Sequence, residues 1–366
     1  MMSLPQIDNF QQLFLNDIAM LDLRAPVEFS QGAFPHSFNI PLMSDEERQQ
    51  VGLCYKTQGQ EKAIELGYKL VSGDIKAHRV QQWVQFFQQY PQAVLYCFRG
   101  GMRSKITQQW LYDEAGLSVP RVIGGYKALR QFMLQQIEHA AQTMRFMVLS
   151  GRTGSGKTLL LAEINNKVDL EGLYHHRGSA FGNHVQPQPS QIDIENTLAV
   201  ELLKLQHKKI SSLVVEDESA CIGARRLPDT IVNMMRMAPI ILLQVDDQSR
   251  VEIIFDEYIH RALQEHIDFY GEEQGFEKWS AFLLTSLDKI QRRLGGQKYR
   301  ELRGLMQQAI QQQVSQNNTD LHRQWISRLL FEYYDPMYDY QLSKKQDRIV
   351  FTGSSSQVVD YLRHLF

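Results

Sequence analysis

The segment Gly151-Arg152-Thr153-Gly154-Ser155-Gly156-Lys157-Thr158 constrains this chain more than any other. It completes the pattern G-x-x-x-x-G-K-[ST], between an apolar run from Arg145 to Ser150 that reads as a strand and a helical stretch from Lys157 to about Asn166. Glycines let the backbone wrap an anion closely, and successive N–H groups with a helix N-terminus attract phosphate oxygens. Lys157 adds a point charge, and Thr158 offers a hydroxyl to Mg²⁺. All eight residues are expected to bind a di- or triphosphate, with ATP as the default ligand.

Further on, Leu213-Val214-Val215 runs into Glu216-Asp217-Glu218, a strand ending in carboxylates at the place where a metal-facing acid is expected. Glu216 or Asp217 is favoured for that role, and Arg225 and Arg226 follow closely enough to close on phosphate. Strands are also expected at Ile240 to Val245 and Arg348 to Phe351. Arg250 to Leu263, Phe276 to Leu294 and Asp320 to Glu332 carry helical periodicity.

The first third of the chain has its own alternation. Ile18 to Pro41 reads as strand, loop and short strand. Val80, Trp83, Val84 and Phe87 share one helix face, stopped by Pro91, and Ala93 to Cys97 is a short buried strand. A Gly-rich loop, a helix from Ser104 to Ala115 and a strand from Val119 to Ile123 complete an α/β unit with a mainly parallel sheet. The expected partition is residues 1–130, a linker helix over 131–144, and a phosphate-loop α/β domain with additional C-terminal helices over 145–366.

A length of 366 residues suits two such domains. With 43% hydrophobic and 22% charged residues, wholly disordered and low-complexity readings are excluded. Apolar stretches such as Ala238 to Leu243 are far shorter than a membrane span, and the N-terminus lacks the pattern of a secretory signal. The three cysteines form no CxxC pair, so neither a disulfide framework nor a structural zinc site is expected. A cytoplasmic protein with no membrane partner follows. The net charge of −2 announces no polyanion, so nucleic acid would need a local patch.

Cys97 stands out among the thiols. It ends a buried strand and precedes Phe98-Arg99-Gly100-Gly101-Met102-Arg103, whose amides, together with the next helix N-terminus, favour a thiolate. Arg99 and Arg103 add positive charge, so Cys97, Arg99 and Arg103 are the expected catalytic group. Cys54 and Cys221 have no such setting and are read as structural.

Leu21-Asp22-Leu23-Arg24, Glu28-Phe29, Gly32, Pro35, Asn39-Ile40-Pro41 and the Cys97 loop together resemble a rhodanese domain. The C-x5-R spacing from Cys97 to Arg103 departs from the usual sulfurtransferase loop and resembles rhodanese-like phosphatases, whose wider loop fits a tetrahedral phosphate. Followed by the phosphate loop, His176-Arg177-Gly178-Ser179-Ala180-Phe181-Gly182, Val215 to Ser219 and Tyr333-Tyr334-Asp335-Pro336-Met337-Tyr338, the chain resembles the tRNA 2-selenouridine synthase family over essentially its whole length.

That resemblance implies replacement of sulfur by selenium in a wobble 2-thiouridine of tRNA. Selenophosphate is the selenium source, and an S-geranyl intermediate is made from geranyl diphosphate. Cys97 would carry selenium as a selenopersulfide or handle selenophosphate, and the phosphate loop would bind the diphosphate. No tightly bound cofactor is expected beyond Mg²⁺ at Thr158. Besides tRNA, a selenophosphate-supplying enzyme is an implied partner.

Candidate RNA contacts are Arg177, Lys289, Arg292, Arg293, Lys298, Arg300 and Arg303. The tyrosines at 333, 334, 338 and 340 are candidate stacking surfaces. Phe181, Leu198 and Leu202 are offered for a prenyl pocket. Metal ligation at His175 and His176 is not expected, for want of a nearby carboxylate or cysteine. The alternative reading is a thiol phosphatase or sulfurtransferase fused to an ATP-dependent kinase-like domain, weakened by Tyr96 where such phosphatases carry histidine.

Overall fold

The computed structural model describes residues 4–365. It divides the chain into two compact units. The first comprises Met1–Ala140 and Ser190–Lys208, the second Ala141–Pro189 and Lys209–Phe366. Neither boundary follows the contiguous partition expected. The helix Gly125–Thr143 belongs to the first unit up to Ala140 rather than standing as a linker, and the first unit also takes Gln191–His207 from the later part of the chain.

The first unit is built on five parallel strands: β1 (Gln6–Ile7), β2 (Met20–Asp22), β3 (Ser37–Asn39), β4 (Val94–Tyr96) and β5 (Arg121–Val122). Their order is β1-β5-β4-β2-β3. All three residues of β2 and of β4 are buried, as strands covered on both faces of a parallel sheet must be. Trp83, Phe86 and Phe87, on the helix Gly73–Gln89, pack over this sheet with Leu21, Leu95 and Leu111. The period-3.6 stripe is therefore core.

Helix Gln191–His207 is fastened to this unit by polar contacts. Asp193 Oδ1 accepts the Ala33 N–H at 2.7 Å, Asn196 Nδ2 donates to the Ala33 carbonyl at 2.6 Å, and Lys204 reaches Asp17 at 2.6 Å. At Gly32, φ +149°, a Cβ would lie 2.4 Å from the Ile192 side chain, so only glycine lets the helix approach there.

The second unit holds β6 (Arg145–Ser150), β7 (Lys167–Val168), β8 (Ser212–Glu216), a small antiparallel pair β9 (Cys221–Ile222) and β10 (Arg225–Arg226), then β11 (Ile240–Leu243) and β12 (Ile349–Gly353). The main sheet is parallel in the order β12-β11-β6-β8-β7, so β6 is central and β8 lies beside it. The phosphate loop thus leaves the middle of the sheet, where ligands of open parallel sheets bind. A helical region follows, with a hairpin of Glu272–Leu294 and Gly296–Gln316 broken at Gly295, φ +85°. Its core joins Trp279, Leu283 and Leu287 to Trp325 and Ile326 on Asp320–Leu329.

Candidate functional site

In the first unit, Cys97 directly follows β4 and is 3% exposed. Its thiol lies 3.2 Å from Ser104 Oγ, which donates to the Gly101 carbonyl. The helix Met102–Ala115 starts at Gly101 with no side-chain cap, leaving its first N–H groups to the loop. Two glycines set the loop's floor: a Cβ at Gly125, φ +59°, would sit 2.2 Å from the Cys97 carbonyl oxygen, and one at Gly100, φ +62°, 2.8 Å from the Gly124 nitrogen.

Arg103 is held by a bidentate pair with Glu28 at 2.6 and 3.2 Å. Burial raises the Glu28 carboxyl, but the Arg103 partnership outweighs it and the group ends below its usual range. The Asp22-Arg24 pair is scaffold. Arg24 makes a bidentate contact with Asp22 at 2.7 to 3.1 Å, donates to Gly32 O at 2.9 Å and lies 3.8 Å over the Tyr126 ring. Arg99 is exposed and makes no ion pair among the described residues. Of the predicted trio, Cys97 and Arg103 are fixed in the loop and Arg99 is the unpaired cation.

In the second unit, the phosphate loop lines a cavity of about 1270 Å³. Gly154 and Gly156 have φ +79° and +72°, and a Cβ on Gly154 would come within 2.9 Å of the Arg250 carbonyl. Arg250 donates to the Thr153 carbonyl at 3.1 Å and grips Asp335 at 2.9 and 2.5 Å, which gives the Tyr-Tyr-Asp-Pro motif a structural reason. Arg152 points to Asp339 at 2.8 Å, Lys157 Nζ lies 3.2 Å from the Gly151 carbonyl, and the buried Ser155 hydroxyl has no partner among the described residues.

Because Leu149 pairs with Glu216 in register, the end of β8 is brought beside the loop. Thr158 Oγ1 lies 3.2 Å from Glu216 Oε1 and 3.0 Å from Glu171 Oε2. Burial, then the Glu171 charge, pushes Glu216 up to about 8, and burial likewise raises Glu171 and Glu218. Asp217 is taken by Lys345 at 2.8 Å and by the Ser150 hydroxyl at 2.5 Å, so Glu216 alone of the two favoured residues faces Thr158. The buried Glu216 and the half-buried Glu171, both against the Thr158 hydroxyl, are hard oxygen donors of the kind that Mg²⁺ takes. Glu171 and Lys345 carry no sequence motif, and only the fold reveals them.

Several expectations are corrected. Arg225 donates to the Pro189 carbonyl at 2.8 Å and Arg226 pairs with Asp229 at 2.7 Å, so neither closes on the loop. Arg177 lines the phosphate-loop cavity and is paired with Glu257 at 3.2 Å and Glu265 at 2.8 Å, so its charge is taken up within the protein. Lys298 and Arg303 are paired with Glu332 and Asp288, while Arg292, Arg293 and Arg300 are exposed without ion pairs among the described residues. Lys289 and Arg293 line the cavity. Tyr333 and Tyr334 are buried core, and Tyr340 is 61% exposed. Phe181, Leu198 and Leu202 are fully packed, the last two on the helix that belongs to the first unit, and leave no room for a prenyl chain.

The carboxylate missing near His175 in sequence is supplied by Glu265, whose oxygens lie within 4.8 Å of ligand atoms of His175 and His184. Glu265 already accepts from Arg177 and from the Val185 N–H, and the guanidinium disfavours a second cation there.

A cysteine loop and a P-loop site, each at the end of a parallel sheet, define a two-domain α/β protein with two anion-binding loops. The family description "tRNA 2-selenouridine synthase AAA domain" matches residues 144–365. Curated tRNA 2-selenouridine synthases are similar over nearly the full length. That of Bordetella petrii is 51% identical, covering 97% of this chain and 95% of the relative. That of Marinobacter nauticus is 48% identical, covering 99% of each, and that of Bordetella bronchiseptica is 50% identical, covering 97% and 96%. The chain belongs to the tRNA 2-selenouridine synthase family.

Proposed function

We propose that this enzyme exchanges sulfur for selenium in a wobble 2-thiouridine of tRNA by way of an S-geranyl intermediate, using its two anion sites for two successive transfers. The observation that carries the reading is the presence, on one chain, of a complete P-loop and of a C-x5-R loop whose buried thiol meets Ser104.

The P-loop amides, Lys157 and the unpartnered Ser155 hydroxyl suit the diphosphate of geranyl diphosphate. The thione sulfur forms a bond to the geranyl carbon as the carbon–oxygen bond breaks. Diphosphate leaves, and the nucleobase loses its N3 proton. Mg²⁺ held by Thr158 and Glu216 would neutralise charge on the departing diphosphate. No selenophosphate-supplying enzyme is needed for this step.

Alkylation makes C2 more electrophilic and turns a poor leaving group into geranylthiolate. Selenium from selenophosphate bonds C2, the C2–S bond breaks, and the thiolate takes a proton. The Cys97 thiolate accepts the phosphoryl group relinquished by selenium, and water returns it as phosphate, so the sum is redox-neutral. A selenopersulfide on Cys97 formed with release of phosphate would need an added oxidant and later a reductant. The Arg103 geometry and the uncapped helix N-terminus support phosphoryl binding at this loop.

The test is mass spectrometry of tRNA nucleosides after incubation with geranyl diphosphate and selenophosphate. Lys157→Ala abolishes S-geranylation. Cys97→Ser retains it, stops selenation and accumulates the S-geranyl nucleoside. ATP hydrolysis in step with tRNA turnover would overturn the assignment of the P-loop.

A further inference from the structure

The first unit contains a second cavity, of about 870 Å³, within the size range of small-molecule sites and unclaimed by the steps above. Its wall is apolar: Leu42, Val51, Ile64, Val71, Ile106 and Trp110 contribute to it. Two helices, Asp45–Gln58 and Gln60–Leu70, frame it and leave Tyr55 58% and Tyr68 47% exposed along its lining. The same cavity is bordered by Arg99, Met102 and Arg103 of the cysteine loop, with Arg48 and Lys56 adding charge. A loop that only holds a small tetrahedral anion has no use for such a chamber, and the exposed Tyr55 and Tyr68 carry its apolar lining out to the surface.

We infer that this cavity receives the prenyl chain of the S-alkylated tRNA nucleoside while selenium replaces its sulfur at the cysteine loop. The inference rests on the proposed S-geranyl intermediate. Selenium must reach C2, and the chain begins on the sulfur bonded to that same carbon. Whatever holds the chain must therefore adjoin the loop, as this cavity does through Arg99, Met102 and Arg103. Its apolar wall suits a ten-carbon hydrocarbon, and its cations suit what happens at the near end. As the C2–S bond breaks, the electron pair stays on sulfur, and the unpaired Arg99 guanidinium stabilises the thiolate until it is protonated. The cavity of the second unit mixes Lys157, Glu171, Glu218 and Lys345 with apolar residues such as Ile253 and Ile290 and lies at the phosphate loop, where the first transfer is placed.

The experiment uses the full-length protein, selenophosphate and two anticodon stem-loop RNAs that carry S-geranyl- or S-methyl-2-thiouridine, with kcat/KM for selenonucleoside formation read by mass spectrometry. Wild type is expected to prefer the geranyl substrate by roughly tenfold or more, from burial of the chain. Val51→Trp, which fills the cavity, brings that preference toward parity. Tyr68→Gln, a substitution at an exposed lining residue, does the same by a smaller factor and carries the test if the tryptophan variant melts early. Equal use of the two RNAs by wild type, or an undiminished preference in Tyr68→Gln, overturns the cavity assignment alone. Failure of wild type to convert the S-geranyl RNA overturns the S-geranyl pathway and the cavity assignment together.

Discussion

Burial, reinforced by the neighbouring Glu171 charge, keeps Glu216 protonated up to about pH 8 in the folded chain, against 4.5 for the ordinary group. A raised carboxyl contributes stability that is complete below 4.5 and lost as pH rises through about 8, because the native state binds the proton that the unfolded chain has released. Melting temperature should therefore fall across that window, and Glu216→Gln should flatten the fall. Saturating Mg²⁺ should also flatten it for wild type if the cation takes the proton's place. At Gly125, φ +59°, an added Cβ meets the Cys97 carbonyl, so Gly125→Ala should cost more than about 1 kcal/mol in denaturant unfolding and also reduce selenation. The chemistry of Lys157, Thr158 and Cys97 is legible in sequence because each sits in a contiguous motif. Glu171 and Lys345 are not, since nothing in their neighbours marks them and only the register of β8 beside β6 collects them.

Among the elements, the helical hairpin Glu272–Leu294 and Gly296–Gln316 is the one that concentrates free positive charge. Arg292 and Arg293 close its first helix, where cations also favour the helix dipole, and Arg300 lies in the first turns of the second. Replacing Arg292, Arg293 and Arg300 with alanine should weaken tRNA binding and reduce the slope of log affinity against log salt by about one for each phosphate no longer neutralised. The corresponding change at Lys298, which pairs with Glu332, should have a smaller effect. The basic stretch is visible in sequence, and so is its division, since the helix expected over Phe276 to Leu294 stops at Gly295-Gly296; the ion pairs that neutralise Lys298 and Arg303 depend on Glu332 and Asp288, which lie outside the stretch. Helices with long apolar stripes can be read directly from their periodicity. Asp45–Gln58 cannot, because its exposed surface mixes Leu53 and Tyr55 with charge and it lacks a clean stripe.

At the scale of the molecule, the two units exchange chain: residues 190–208 return to complete the first. A contiguous reading of the sequence has no means to detect this, since the contacts of Asp193, Asn196 and Lys204 bridge more than a hundred and fifty positions. Residues 1–140 produced alone should melt well below the first transition of the intact protein, and a peptide spanning 190–208 should restore part of the loss, as followed by circular dichroism. This interlacing also sets an order of events during translation. The helix fastened at Ala33 and Asp17 is not available until residue 208 has emerged from the ribosome, by which time all five strands of the sheet that carries Cys97 and the whole P-loop have already been synthesised. The nascent chain thus holds both of its anion-binding loops before that helix can close the first unit, and a message truncated between residues 158 and 190 yields a first unit that lacks it.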